Sequence, residues 1–170
     1  MARAASICLG LAPILAGLVL ATTASAQVNA IGRYKEWRVY TEGSGKGLIC
    51  FAATSADDAA PRTIDHGDVN FYVATWKSGA ASNQPSLKVG YDLRTDLAPQ
   101  AIVGRARFRM YASGAEAFFP DDQEKLLLAA VKKGSDLRIE AVSTKSTRTA
   151  YHFSLKGASE AMDKARALCR

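Results

Sequence analysis

Two histidines, two cysteines in the body of the chain and three alternating arginines are the residues with the means to do chemistry here. His66 stands in Ile64-Asp65-His66-Gly67-Asp68, where a neighbouring carboxylate could orient the imidazole. A small hydrolase built on His66 is therefore the enzymatic reading. No nucleophile signature accompanies it, neither a GxSxG elbow nor an HExxH pair. Asp and Gly are also turn formers, so a loop histidine is the simpler expectation. His152 alternates with Tyr151 and Phe153 and reads as a solvent-facing or edge-strand residue. Gly43-Ser44-Gly45-Lys46-Gly47 resembles a phosphate loop only in composition. Tyr40 stands where GxxxxGK needs its first glycine, and Gly47 where it needs Ser or Thr. The segment reads as a hairpin loop.

Arg105, Arg107 and Arg109 alternate within Ala101 to Tyr111. On one strand they would lie about 7 Å apart on one face. Such a ladder repels itself unless something neutralises it. Cross-strand carboxylates (Asp92, Asp96 and Glu140) could do so within the fold. Otherwise the ladder is a binding face for an anionic group, through bidentate phosphate contacts, or a docking site for a partner protein. Tyr72, Trp76 and Tyr111 could form an aromatic strip, but on a half-buried sheet such residues are expected in the core.

Of three cysteines, Cys8 falls in the leader described below, which leaves Cys50 and Cys169. An even count in an oxidising compartment reads as a disulfide. It would close a loop of about 120 residues, worth up to roughly 4 to 5 kcal/mol on the chain-entropy model. The spacing rules out CxxC redox chemistry, and two thiols without clustered histidines make a poor metal site. No metal and no cofactor are expected.

An apolar run from Ile7 to Leu20 follows Arg3 and closes on Ala24-Ser25-Ala26. This is the pattern of a secretory signal peptide over residues 1–26; a run of about 14 residues is too short for a membrane span of roughly 20. Residues 27–170 then form a single domain, long enough for its own core, with no transmembrane segment after cleavage. The expected location is periplasmic or secreted, in a Gram-negative cell envelope. The net charge of +6, one unit of it from Arg3, suits a soluble protein. Export argues against nucleic acid as the partner.

Period-two alternation dominates the body of the chain. It predicts short strands near Trp37 to Tyr40, Leu48 to Ala52, Val69 to Trp76, Ser86 to Leu93, Ala101 to Tyr111, Leu137 to Val142 and Thr147 to Leu155. Residues 54–67 read as a surface loop and Asn83-Gln84-Pro85-Ser86 as a turn. One helix follows Pro120, with Asp121 and Glu124 as a capping box, Leu127, Leu128 and Val131 as its stripe, and Gly134 at C′. A second helix after Gly157 places Ala158, Ala161, Met162, Ala165, Leu168 and Cys169 on one face. The fold expectation is mainly β, an antiparallel sandwich or open barrel of about seven strands with two peripheral helices, the last C-terminal.

Several short blocks carry a family likeness: Trp37-x-Val39 with Cys50-Phe51 downstream, Phe71-Tyr72-Val73, and Asn83-Gln84-Pro85-Ser86-Leu87-Lys88-Val89-Gly90-Tyr91. The strand Thr149-x-Tyr151-x-Phe153-Ser154-Leu155-x-Gly157, running into a Cys-bearing helix, completes it. Together they resemble the invasion-associated locus B (IalB) family of exported alphaproteobacterial proteins. The resemblance implies a β-rich fold in the periplasm or at the outer surface and, in some pathogens, an association with host-cell invasion. It brings no catalytic residues. The resulting expectation is a non-enzymatic exported domain that binds an anionic envelope component or a partner protein. The alternatives are the His66 hydrolase and a structural or stress-related envelope protein without a discrete ligand.

Overall fold

Alternation in the sequence becomes alternation in burial along nearly every long strand, and this builds two sheets facing one another. The computed structural model describes residues 27–170; the expected signal peptide lies outside them. In chain order the elements are β1 (Val28–Tyr34), β2 (Trp37–Glu42), β3 (Ile49–Ser55), β4 (Asp58–Ala60), β5 (Asn70–Trp76), β6 (Gln84–Lys88) and β7 (Gln100–Val103). They continue with β8 (Ala106–Arg109), β9 (Tyr111–Ser113), β10 (Glu116–Phe118), α1 (Asp121–Lys133), β11 (Asp136–Val142), β12 (Arg148–Ser154) and α2 (Ala158–Leu168). Seven strands form one sheet in the order β1-β2-β3-β5-β6-β10-β9, and five form the other in the order β4-β12-β11-β7-β8. All the pairings are antiparallel and neither sheet closes into a barrel.

The core lies between the sheets. Trp37, Val39, Phe71, Val73 and Leu87 point inward from the larger sheet, and Leu137, Ile139, Tyr151 and Phe153 from the smaller. Phe71 and Phe153 meet across the gap with ring centroids 6.0 Å apart. Trp37 Nε1 donates to the Ser154 carbonyl at 2.9 Å, a direct link between the layers. The wider sheet would be left partly uncovered by the narrower one. Helix α2 fills that space, resting on β2, β3 and β5 with Ala158, Ala161, Met162 and Ala165 buried. Small residues on this face let the helix backbone approach the sheet closely. Gly157 starts the helix at φ 91°, and a Cβ there would overlap the Tyr34 carbonyl. Cys169, the residue after α2, forms a disulfide with Cys50 of β3 at a Cα–Cα distance of 5.8 Å.

Helix α1 caps the remaining opening beside β6, β7 and β8. Its start differs from the expected capping box. Pro120 is the N-cap, Asp121 is the first helical residue, and no side chain caps the end. The Pro120 carbonyl takes the Gln123 and Glu124 amides at 2.8 and 3.2 Å instead. Asp121, Asp122 and Glu124 remain in the first turn, where the helix dipole favours them. Gly134 is not in the left-handed conformation expected at C′; its φ is −81°. It is small because a Cβ would strike Val103 and Leu155 side chains. Leu127 is fully buried while Leu126 is 60% exposed. Leu127→Ala should therefore cost about 3 kcal/mol in urea unfolding. Leu126→Ala should stay within about 0.5 kcal/mol, and equal losses at the two sites would contradict this placement of α1.

Three strand expectations need correction. Residues Ala101 to Tyr111 are not one strand: Gly104 and Arg105 form a tight turn between β7 and β8, with Gly104 at φ 59°. Pro85 lies inside β6, opposite Val73, and not in a turn. Strand β10 reaches only Ser86 to Lys88, so Pro85 sits past its end, where a missing N–H costs no ladder bond. Strand β6 also stops at Lys88, and Leu93 makes only an isolated bridge to Ser143.

Candidate functional site

The two outer sheet faces and one buried polar cluster hold the residues with chemical potential. The outer face of the five-stranded sheet is built by register. One row runs Arg107, Ile102, Arg138, His152 and Asp58 across β8, β7, β11, β12 and β4; the next runs Arg109, Gln100, Glu140, Ala150 and Ala60. Arg107 and Arg109 flank buried Phe108 and point outward, and Arg105 is exposed in the hairpin turn.

Two of the three carboxylates expected to neutralise the ladder are engaged elsewhere, and the third, Asp92, forms no ion pair among the described residues. Asp96 takes Arg94, whose Nε donates to it at 2.9 Å and whose guanidinium holds its carboxyl below the usual range. Glu140 takes Arg138 at 2.7 Å. On the same face Asp136 accepts from His152 Nδ1 at 3.1 Å and Asp58 holds Arg62 at 2.9 Å. Among the described residues Arg105, Arg107, Arg109 and Arg148 make no ion pair at all. Three of these four arginines thus stand at the β8 end of the sheet and Arg148 on β12, while the paired acids Asp136, Glu140 and Asp58 lie on β11 and β4. An open depression of about 610 Å³, lined by Gln100, Arg138, Arg148 and Leu97 among others, lies on this face.

The outer face of the seven-stranded sheet has a different character. Tyr40 and Phe51 stack at 5.3 Å, and Tyr72 meets Phe51 edge-on at 5.9 Å. Trp76 sits one row further along, and all four are half-buried over an open depression of about 750 Å³. Tyr111 and Phe118 form a second pair near the β9 edge, and Tyr111 is 50% exposed. Tyr72, Trp76 and Tyr111 are therefore not core residues. Tyr72 and Trp76 alternate with inward Phe71 and Val73, Tyr111 lies in the row of Tyr72 through Ser86 and Phe118, and no second layer covers that side among the described residues.

His66 is in a loop, as its neighbours suggest, but it is buried. Asp65 turns away from it and accepts the Gly67 amide at 2.8 Å. His66 Nε2 lies 2.9 Å from the Pro61 carbonyl and donates to it, and Nδ1 lies 2.9 Å from the Tyr151 hydroxyl. The Tyr91 hydroxyl bridges Tyr151 and Thr149, the latter at 2.8 Å, and Thr149 Oγ1 also lies 3.3 Å from the Ala141 carbonyl. Burial above all, and then the Tyr91 hydrogen bond, push the Tyr151 phenol well above its ordinary value. Both imidazole nitrogens are thus engaged inside the protein. Neither His66 nor Tyr151 lines either surface depression. His152, by contrast, faces outward from β12.

The chain matches no protein-family model, no curated protein and no solved structure. Among the described residues no three His, Cys, Asp or Glu side chains gather as metal ligands, and no helix is long and apolar enough to cross a membrane. Sequence reasoning missed Arg148, Tyr40 and Phe51 as surface groups and the Tyr91–Tyr151–Thr149 partners of His66. Outward alternation against Trp37, Val39 and Cys50 was the available signal for Tyr40 and Phe51. The hydroxyl cluster joins residues 58 to 85 positions apart and left no local trace.

Proposed function

We propose that this is an exported, non-enzymatic binding protein of the cell envelope, which holds an anionic envelope component on the outer face of its five-stranded sheet. The observation that carries this reading is the arginine cluster of the β7–β8 hairpin, exposed and without carboxylate partners among the described residues. Guanidinium groups left unpaired on a rigid hairpin suit phosphate, which they can grip in bidentate fashion. The Cys50–Cys169 bridge is compatible with an oxidising compartment. The signal-peptide pattern of residues 1–26 and the likeness to invasion-associated locus B proteins support the same placement.

The test is co-sedimentation with vesicles of phosphatidylcholine, with and without phosphatidylglycerol, and with lipopolysaccharide. The protein should bind only the anionic preparations, and binding should weaken as salt rises, since screening acts over about 10 Å at 0.1 M. Each arginine near an anionic surface is worth about 1 kcal/mol, so changing Arg105, Arg107 and Arg109 together to Gln should lower affinity roughly a hundredfold. The melting temperature should not move, because exposed charges contribute little to stability. Salt-independent or absent binding by the parent protein would defeat the proposal.

A further inference from the structure

The uncovered aromatic face of the seven-stranded sheet has a symmetry of its own. Three rows cross its middle strands β2, β3 and β5: Arg38, Ala53, Tyr72; then Tyr40, Phe51, Ala74; then Glu42, Ile49, Trp76. Arg38 and Glu42 stand on the same strand, about 13 Å apart by strand rise, on either side of Tyr40. Neither has an ion-pair partner among the described residues. The other charges on this face are engaged: Lys88 lies 3.8 Å from Glu116, and Arg33 lies 3.9 Å from Glu36.

A two-fold axis lying along the Tyr40 row, in the plane between two such faces, reverses the strands and exchanges the outer two rows. Arg38 of one copy then faces Glu42 of the other, Tyr72 faces Trp76, and Ala53 faces Ile49. Each of these contacts occurs twice, and Tyr40, Phe51 and Ala74 meet their own counterparts. From this charge and size complementarity we infer that the outer face of the seven-stranded sheet is a homodimer interface, packed sheet on sheet about a two-fold axis. Such isologous contacts are the commonest way soluble chains associate, and twisted sheets pack face to face within about 30° of alignment. A large aromatic on one copy would lie over a large aromatic on the other at the usual spacing of about 10 Å. Three strands by five residue positions make a patch of roughly 14 by 17 Å from strand spacing and rise. That is small for a specific interface, so monomer and dimer exchange, with half-association in the micromolar range.

The experiment is sedimentation equilibrium of the purified protein from about 1 to 500 µM, a range that brackets micromolar dissociation constants. The weight-average mass should rise from one chain toward two. Arg38→Glu or Glu42→Arg alone sets like charges against each other twice per dimer and should weaken association at least about tenfold. The combined Arg38→Glu, Glu42→Arg variant recreates both pairs with exchanged signs and should dimerise like the parent. That recovery separates loss of the interface from loss of the fold. All three variants should keep the salt-dependent anion binding proposed for the opposite sheet, so failure of either reading leaves the other standing. A parent that stays monomeric throughout, or a dimer whose affinity ignores the single changes, would overturn the inference. So would a monomer whose Trp76 fluorescence responds to an oligosaccharide, which would assign the aromatic floor to sugars.

Discussion

Trp37→Ala should be among the most damaging single substitutions in this protein, lowering unfolding free energy by roughly 4 to 6 kcal/mol. Trp37 is fully buried and is the largest of the wholly enclosed side chains. Removing a buried tryptophan side chain costs about 3 to 5 kcal/mol through lost burial and the cavity left behind. It also strips the part-buried Ser154 carbonyl of the indole donor at 2.9 Å, and losing an ordinary hydrogen bond costs about 1 kcal/mol. The sum is a large part of the 5 to 15 kcal/mol typical of a domain. Trp37→Phe keeps much of the volume, including the edge-on contact with Phe71 at 6.2 Å, but loses the hydrogen bond. It should therefore cost less than half as much. Urea unfolding followed by far-UV circular dichroism, with Trp76 as the remaining fluorophore, measures both. A loss below about 1 kcal/mol for Trp37→Ala would show that the two sheets are not clamped at this point.

Replacing both Cys50 and Cys169 by Ala should cost about 4 to 5 kcal/mol. The two residues are 119 positions apart, and the chain-entropy model gives about 4.7 kcal/mol for a loop of 100 residues. Alanine is the proper substitute because both positions are buried and serine would add an unpaired hydroxyl. The damage should begin at α2, whose Ala158, Ala161 and Ala165 offer small contact areas. Amides of Ala158–Leu168 should then exchange with solvent much faster than those of β11 and β12. The parent protein, alkylated without reductant, should show no modified cysteine among Cys50 and Cys169. Two reactive thiols at these positions, or a double variant within 1 kcal/mol of the parent, would contradict the prediction.

The layered β architecture, the bridge and the buried face of α2 were legible because each leaves a periodic or countable mark. The β7–β8 hairpin shows where that reading stops. Burial falls on Ala101 and Val103 before the turn and on Phe108 and Met110 after it. The tight Gly104-Arg105 turn shifts the buried set from odd to even positions, so a single alternating strand fits almost as well as two. Ile102, which one continuous alternation would put on the face of Phe108 and Met110, in fact lies opposite Arg107 on the outer face. A glycine at the first central position was the available turn signal.

Strand β1 was missed for a related reason. Its register slips between Ala30 and Gly32, so the alternation cancels itself, and nearly all its residues are exposed. Strands β4, β9 and β10 span three residues each, too few to carry a period. The arginines were visible from the start. That Asp96 and Glu140 leave them unpaired is decided by Arg94 and Arg138, which the spacing of the ladder does not reveal.

The position of the bridge has a bearing on how the protein is made. A chain that emerges amino end first presents Cys50, in the third strand, long before Cys169, which follows the last helix. Until then the early thiol has no native partner and must remain reduced or wait as a mixed disulfide with an oxidant. Oxidation therefore comes after most strands can already have paired, and it seals a finished arrangement more than it directs one. A product cut short before α2 keeps Cys50 open to alkylating reagents, so one free thiol serves as a chemical label of incomplete synthesis.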